Sequence, residues 1–222
     1  MSDTTVDTDK TVVGVVGAGA MGAGIVQVAA VHGHAVVLAD AQPASIARAR
    51  SGHAKALARD VEKGRLTREQ ADAVLARITY VDGVSPDQLA AFAPCGVVIE
   101  AIVEQVAAKQ QLLRALEAIV ARTAILASNT SSLSIAALAG SCTNTERVVG
   151  VHFFNPAPIM PLVEIIPAIT TSESVIAAAR ALATAWGKTT VLAADTPGFL
   201  VNRVARSFYG ESLRIREEGI AD

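Results

Sequence analysis

Along the chain, short apolar runs rich in valine and isoleucine alternate with longer alanine- and leucine-rich segments of helical period. The runs are TVVGVVG (11–17), AVVLAD (35–40), CGVVIEAI (95–102), TAILAS (123–128), RVVGVHFF (147–154), LVEII (162–166) and TTVLAA (189–194). Helical spacing covers 21–32, 43–62, 68–77, 105–121 and 173–186, with a short helix near 134–139. Strands that are apolar throughout and separated by helices predict a parallel sheet covered on both faces. The expected class is α/β: a doubly wound, mostly parallel sheet with a helical hairpin (43–77) inserted after the second strand. Periodicity leaves the strand direction from LVEII to TTVLAA open.

Local signals sharpen several boundaries. Thr67 followed by Gln70 is a capping-box pattern opening the second helix of the hairpin. Gly33 suits the residue that closes the first helix. A domain boundary is expected at Asp195, Thr196, Pro197 and Gly198, followed by a helix over 199–218 that ends at Gly219. A lone helix cannot bury its own apolar face, so Phe199, Val204, Phe208 and Leu213 require partners. The expected organisation is a disordered tail (1–10), a nucleotide-binding domain (11–194), and the first helix of an incomplete helical domain (195–222).

Composition narrows the class. With 51% hydrophobic and 18% charged residues, a sizeable core is expected and disorder is not. A formal charge of -2 and 4% aromatics offer no footprint for nucleic acid or an anionic membrane surface. MSDTTVDTDK lacks the basic and apolar regions of a signal peptide, and no stretch reaches the roughly 18 apolar residues of a membrane span. Cys95 and Cys142 form no CxxC spacing, which fits a reduced, cytoplasmic protein; no metal is expected.

GVVGAGAMGAG (14–24) places Gly17, Gly19 and Gly22 in G-x-G-x-x-G spacing between an apolar strand and a helix, and that context gives the pattern its meaning. Gly17 permits a tight turn, Gly19 lets a pyrophosphate approach the backbone, and Gly22 lets the helix pack on the sheet. Ala20 and Met21 complete the loop and first turn, whose N–H groups face the phosphates. Asp40 ends the next strand, 18 residues after Gly22. A carboxylate there accepts bonds from the adenine ribose and repels a 2′-phosphate, favouring NAD over NADP. The competing reading, a structural turn with a strand-end cap, has to explain all four features separately.

A second group lies later in the chain. Ser128–Ser132 (SNTSS) directly follows a strand, at the sheet edge where open α/β folds bind ligands, although the same residues could simply cap the next helix. His152 ends RVVGV beside Phe153 and Phe154, with Glu164 twelve positions on. A histidine there is often a core residue. A carboxylate on the neighbouring strand would instead fix its tautomer and make it a base for an alcohol proton. Spacing alone leaves both readings open.

The stretches VVGVVGAGAMGAGI, VVLAD, VVIEAIVE, ILASNTSSLSI, VVGVHFFNPAPIMPLVEII and DTPGFLVNR, in that order, resemble the 3-hydroxyacyl-CoA dehydrogenase family on its bacterial 3-hydroxybutyryl-CoA branch. The resemblance covers nearly all of the chain after residue 10. It implies a Rossmann-type domain followed by an all-α domain, and reversible NAD-dependent oxidation of a short-chain 3-hydroxyacyl-CoA, as in fatty-acid β-oxidation. His152 would be the general base, paired with Glu164. Ser131 would bond the reacting oxygen and also border the cofactor, and Asn202 would orient the acyl thioester. Asn155 would support the His152 loop at the cofactor side, with the phenylalanines as its packing. Glu104 and Lys109 would contact the cofactor's ribose and nicotinamide end. Arg59, Lys63 and Arg65 would neutralise CoA phosphates, unless they are an ordinary solvated helix face. Family members continue with further helices that form a dimer interface, so this chain reads as C-terminally truncated. A non-catalytic NAD-binding or interaction protein is therefore the alternative.

Overall fold

The computed structural model describes residues 10–221. Apart from Lys10, the expected tail lies outside them. The chain runs β1 (Val12–Val16), α1 (Ala20–Val31), β2 (Val36–Asp40), α2 (Pro43–Glu62), α3 (Arg68–Ala76), β3 (Ile78–Asp82) and α4 (Pro86–Leu89). It continues through β4 (Cys95–Glu100), α5 (Val106–Glu117), β5 (Ile125–Ser128), α6 (Ile135–Ala139), β6 (Val148–Phe153) and β7 (Leu162–Pro167). It closes with α7 (Glu173–Ala185), β8 (Thr189–Leu192) and α8 (Val201–Glu217). One eight-stranded sheet results, ordered β3-β2-β1-β4-β5-β6-β7-β8.

All neighbouring strands pair in parallel except β6 and β7. The reversal resolves the direction left open above. Only residues 154–161 separate β6 from β7. A parallel crossover needs a dozen residues or more, whereas an antiparallel return does not. The strand β3 has no counterpart among the predicted runs. It is an edge strand with the burial pattern Beiie, so its sequence ITYVD never reads as an apolar run.

Each sheet face carries its own core. One packs Val13, Val15, Ile99 and Val149 under α1, α2, α3 and α7; the other packs Val16, Val98, Leu126 and Val148 under α4, α5 and α6. Leu113, fully buried in the second core, would cost about 2–5 kcal/mol as alanine. The local signals hold. Thr67 and Gln70 form the reciprocal capping box of α3, and Gly33 takes φ +98 just past α1. Gly219 takes φ +68 beyond α8.

The helix α8 is different. None of its residues is buried, and Val204, Phe208 and Leu213 are 52%, 69% and 63% exposed. Phe199 does not share that need: it is 4% exposed and packs into the second core.

Candidate active site

The first part of the site forms where β1 meets α1. Gly17 has φ +107, and a Cβ there would stand 2.4 Å from the Ala101 carbonyl oxygen. A Cβ on Gly22 would lie 1.7 Å from the Gly17 carbonyl oxygen, so α1 leaves the sheet at a distance only glycine allows. Gly19 differs: no protein atom lies within 4 Å of its Cβ position, so any demand for glycine there comes from something outside the chain. Ala20 and Met21 begin α1 beside that opening.

Asp40 binds this loop from the end of β2. Its Oδ2 accepts from Ala18 N at 2.6 Å and its Oδ1 from Gln42 N at 2.7 Å. It also borders a cleft of about 590 Å³ whose walls include Gly17, Gly19, Leu89, Ile102 and Leu112. A polar rim and an apolar interior of that size suit the adenosine half of a dinucleotide. The open Gly19 and the carboxylate at the β2 end both fit NAD in this cleft.

The second part sits at the ends of β4 to β7. His152 and Glu164 are direct partners in the antiparallel β6–β7 pair, which puts their side chains on one sheet face. Glu164 Oε2 bonds His152 Nδ1 at 2.7 Å, and both residues are buried. The other oxygen, Oε1, accepts from Leu200 N at 2.9 Å and Val201 N at 2.8 Å. One carboxylate thus holds both the imidazole and the first residues of α8. The rings against His152 are Phe154 at 4.5 Å and Phe199 at 5.8 Å between centroids. Phe153 faces away from it and packs near Trp186, because successive strand residues alternate faces.

Ser131 is exposed in the loop after β5, with its N–H on Glu104 Oε1 at 3.0 Å. Its carbonyl accepts from Asn202 Nδ2 at 3.3 Å, which brings Asn202 of α8 to the same loop. The Glu104 carboxylate also accepts from Thr130 Oγ1 and from Ser132 Oγ at 3.2 Å. Burial alone would raise its pKa. The Thr130 bond, the Lys109 ammonium and the Ser131 amide together outweigh that and hold it below the usual carboxylate value.

Three further expected roles, for Lys109, Asn155 and the Arg59, Lys63 and Arg65 cluster, fall on residues outside the cleft lining and the His152–Glu164 bond. Lys109 does not open onto the cleft. It is 1% exposed, with Nζ on both oxygens of Glu100 at 2.9 and 2.8 Å and on Glu104 Oε2 at 3.2 Å. A buried ammonium must be neutralised by carboxylates, and here it supports Glu104 from below. Asn155 is exposed, and its side chain holds nothing among the described residues; Asn129 Oδ1 instead accepts from Phe153 N at 2.8 Å and braces the strand. Arg59, Lys63 and Arg65 are exposed where α2 ends, and Arg65 already pairs with Asp60 at 3.1 Å. No bond among the described residues ties these three to His152.

Sequence reasoning missed Asn129, Glu100 and Asp195. Asp195 accepts from Ile135 N, Ala136 N and Ser134 Oγ at 2.9, 2.8 and 2.9 Å. Asn129 is legible as the amide within SNTSS, while the partners of Glu100 and Asp195 are too distant in sequence to signal themselves. Among the described residues no three His, Cys, Asp or Glu side chains are grouped to hold a metal, and no helix is long and apolar enough to cross a membrane.

Residues 12–196 match the family described as 3-hydroxyacyl-CoA dehydrogenase, NAD binding domain. The chain is 43% identical over 210 residues to the 3-hydroxyadipyl-CoA dehydrogenase of Escherichia coli, covering 94% of this chain and 43% of that protein. It is 41% identical to a probable 3-hydroxybutyryl-CoA dehydrogenase of Bacillus subtilis, covering 93% of this chain and 70% of that protein. The crystal structure of 3-hydroxybutyryl-CoA dehydrogenase from Ralstonia eutropha superposes with a TM-score of 0.90 at 37% identity, covering 96% of this chain and 73% of that one. The corresponding Escherichia coli structure gives a TM-score of 0.90 at 42% identity, covering 95% of this chain and 44% of that one. The chain thus spans less than half of the Escherichia coli relatives and about seven-tenths of the others. With the glycine loop, the Asp40 cleft and the His152–Glu164 pair in one sheet, it belongs to the 3-hydroxyacyl-CoA dehydrogenase family.

Proposed function

We propose that the protein catalyses the reversible NAD-dependent oxidation of a short-chain 3-hydroxyacyl-CoA to the 3-ketoacyl-CoA. The observation that carries this reading is the 2.7 Å bond from Glu164 to His152 Nδ1. It commits one ring nitrogen to the carboxylate and leaves Nε2, which has no protein partner among the described residues, for substrate. When bound, NAD supplies the acceptor for the hydride leaving C3.

His152 Nε2 takes the 3-hydroxyl proton, and Glu164 offsets the charge that forms on the ring. Ser131 Oγ donates to the reacting oxygen, and Asn202 holds the thioester side from α8. Asp40 and the open face at Gly19 fix the adenosine and pyrophosphate ends, while Lys109, braced by Glu100, sets the charge and direction of Glu104. Arg59, Lys63 and Arg65 attract the CoA phosphates. The protein acts in the cytoplasm, in fatty-acid β-oxidation, as a homodimer. The exposed apolar residues of α8 support a partner surface on that helix.

The test is NADH oxidation at 340 nm with acetoacetyl-CoA as substrate. Steady turnover that depends on the thioester supports the proposal. A folded protein that binds NADH and never consumes it returns the non-catalytic reading.

A further inference from the structure

The segment joining β8 to α8, together with the first turn of α8, is tied to the rest of the fold at four points beside the site. Asp195 receives Ile135 N at 2.9 Å, Ala136 N at 2.8 Å and Ser134 Oγ at 2.9 Å, at the start of α6 and just past the loop bearing Ser131. Phe199 packs on the His152 ring. Leu200 N and Val201 N hold Glu164 Oε1 at 2.9 and 2.8 Å. Asn202 Nδ2 reaches the Ser131 carbonyl at 3.3 Å.

The chain takes an uncommon path to make these contacts. Gly198 has φ +82, and Phe199 has φ +44. Non-glycine residues hold such a conformation only where the surroundings over-determine it, and such positions gather at functional sites. Here the surroundings are Asp195 on one side and the Glu164–His152 pair on the other. Glu164 is fully buried, so its two oxygens can share no water-mediated slack: what holds Oε1 also sets where Oε2 stands.

We propose that Asp195 is a positioning residue for His152. By pinning the connecting segment to α6, it fixes the two amides on Glu164 Oε1, and through them the direction from which Oε2 holds His152 Nδ1. Its consequence for turnover rests on the function proposed above, but its effect on the imidazole does not. Asp195 touches neither substrate nor cofactor in this assignment. The competing role is that of a plain cap for α6, which would lower stability and leave His152 alone.

Two variants of the whole chain, Asp195→Ala and Asp195→Asn, separate the roles. The first readout is the Nδ1–H resonance of His152, assigned with His152→Ala. The second is kcat against NADH affinity with acetoacetyl-CoA. Positioning predicts that Asp195→Ala loses or broadens the resonance and lowers kcat about 10- to 100-fold, the range that small misplacements of a reacting group produce. NADH affinity should stay within about twofold, because no bond to the glycine loop is removed. Asp195→Asn keeps one acceptor oxygen for three donors, so both readouts should fall measurably short of wild type while staying above those of Asp195→Ala.

An unchanged resonance and kcat in Asp195→Ala, whatever its melting temperature, would overturn the assignment. Should the alanine variant not fold, Asp195→Asn decides: a weakened resonance supports positioning, and a wild-type one contradicts it. If the wild type shows no turnover at all, the function proposed above fails, and the imidazole resonance still decides the role of Asp195.

Discussion

The two parts of the site are built on opposite plans. Around Gly17–Gly22 the chemistry is backbone: a turn, a helix start and one carboxylate, all within β1, α1 and β2. Around His152 it is side chain, drawn from β6, β7, the loop after β5 and the first turn of α8. The first part depends on what is missing, namely Cβ atoms. The second depends on partners 12 to 71 residues apart in sequence. A local plan resists rearrangement elsewhere in the chain, whereas a plan assembled across elements can be retuned at any of its supports.

The largest expected effect falls on the second part. Glu164→Gln replaces the acceptor on His152 Nδ1 with an amide while leaving the strand pair in place. A wrong tautomer at the base should lower kcat by roughly 10²–10³-fold with NADH affinity nearly intact. A similar loss in NADH affinity would mean that the two parts are not separable as described.

Gly22→Ala attacks the first part. The new methyl group would meet backbone at 1.7 Å, which no rotamer relieves. It should destabilise the fold by about 1–3 kcal/mol and weaken NADH binding on the order of 10-fold or more. Thermal melts with and without NADH check this, and a variant that melts and binds like wild type would refute the close approach of α1 to the loop.

Asp40→Ala is milder and asks which job the carboxylate does. If it reads the ribose as well as bracing Ala18, NAD affinity should drop several-fold and discrimination against NADP should relax. Weaker binding of both cofactors at an unchanged ratio would leave Asp40 as a loop brace alone.

The smallest effect concerns the seam beneath the first part. His53 is buried, with Nδ1 on Tyr80 Oη and Nε2 on the Ala23 carbonyl, both at 2.8 Å. Burial lowers its pKa, and the Ala23 bond opposes this only in part. A lowered folded value means that the unfolded chain takes up the proton more readily. Stability from this group is therefore complete above about pH 6.5 and declines as pH falls below it, by at most about 1.4 kcal/mol per pH unit. Denaturant midpoints between pH 7.5 and 5.5 should slope less in His53→Gln; equal slopes would place the titration elsewhere.

The same contrast explains what the sequence revealed. The glycine loop, the Thr67 box, Gly33 and the strand runs are local patterns, and all appear where expected. The edge strand β3 escaped because half-exposed residues show no apolar run. Lys109 looked like a hand toward the cofactor, since nothing in its neighbourhood announces Glu100 as a buried partner nine positions away. Spacing left His152 open between a core residue and a partner of Glu164, the resemblance paired them, and the second duty of Glu164 toward α8 was legible in neither. The family resemblance named Asn155, whereas the bond that braces β6 comes from Asn129, a long-range contact that only the fold discloses.

The most direct test of the central claim is a side-by-side assay of wild type and His152→Ala, with acetoacetyl-CoA and NADH. The expected result is thioester-dependent NADH oxidation by the wild type, a loss of roughly 10²–10⁴-fold in kcat for the variant, and matching NADH affinities. Near-equal turnover in the two proteins would contradict it and return His152 to the role of a packed core residue.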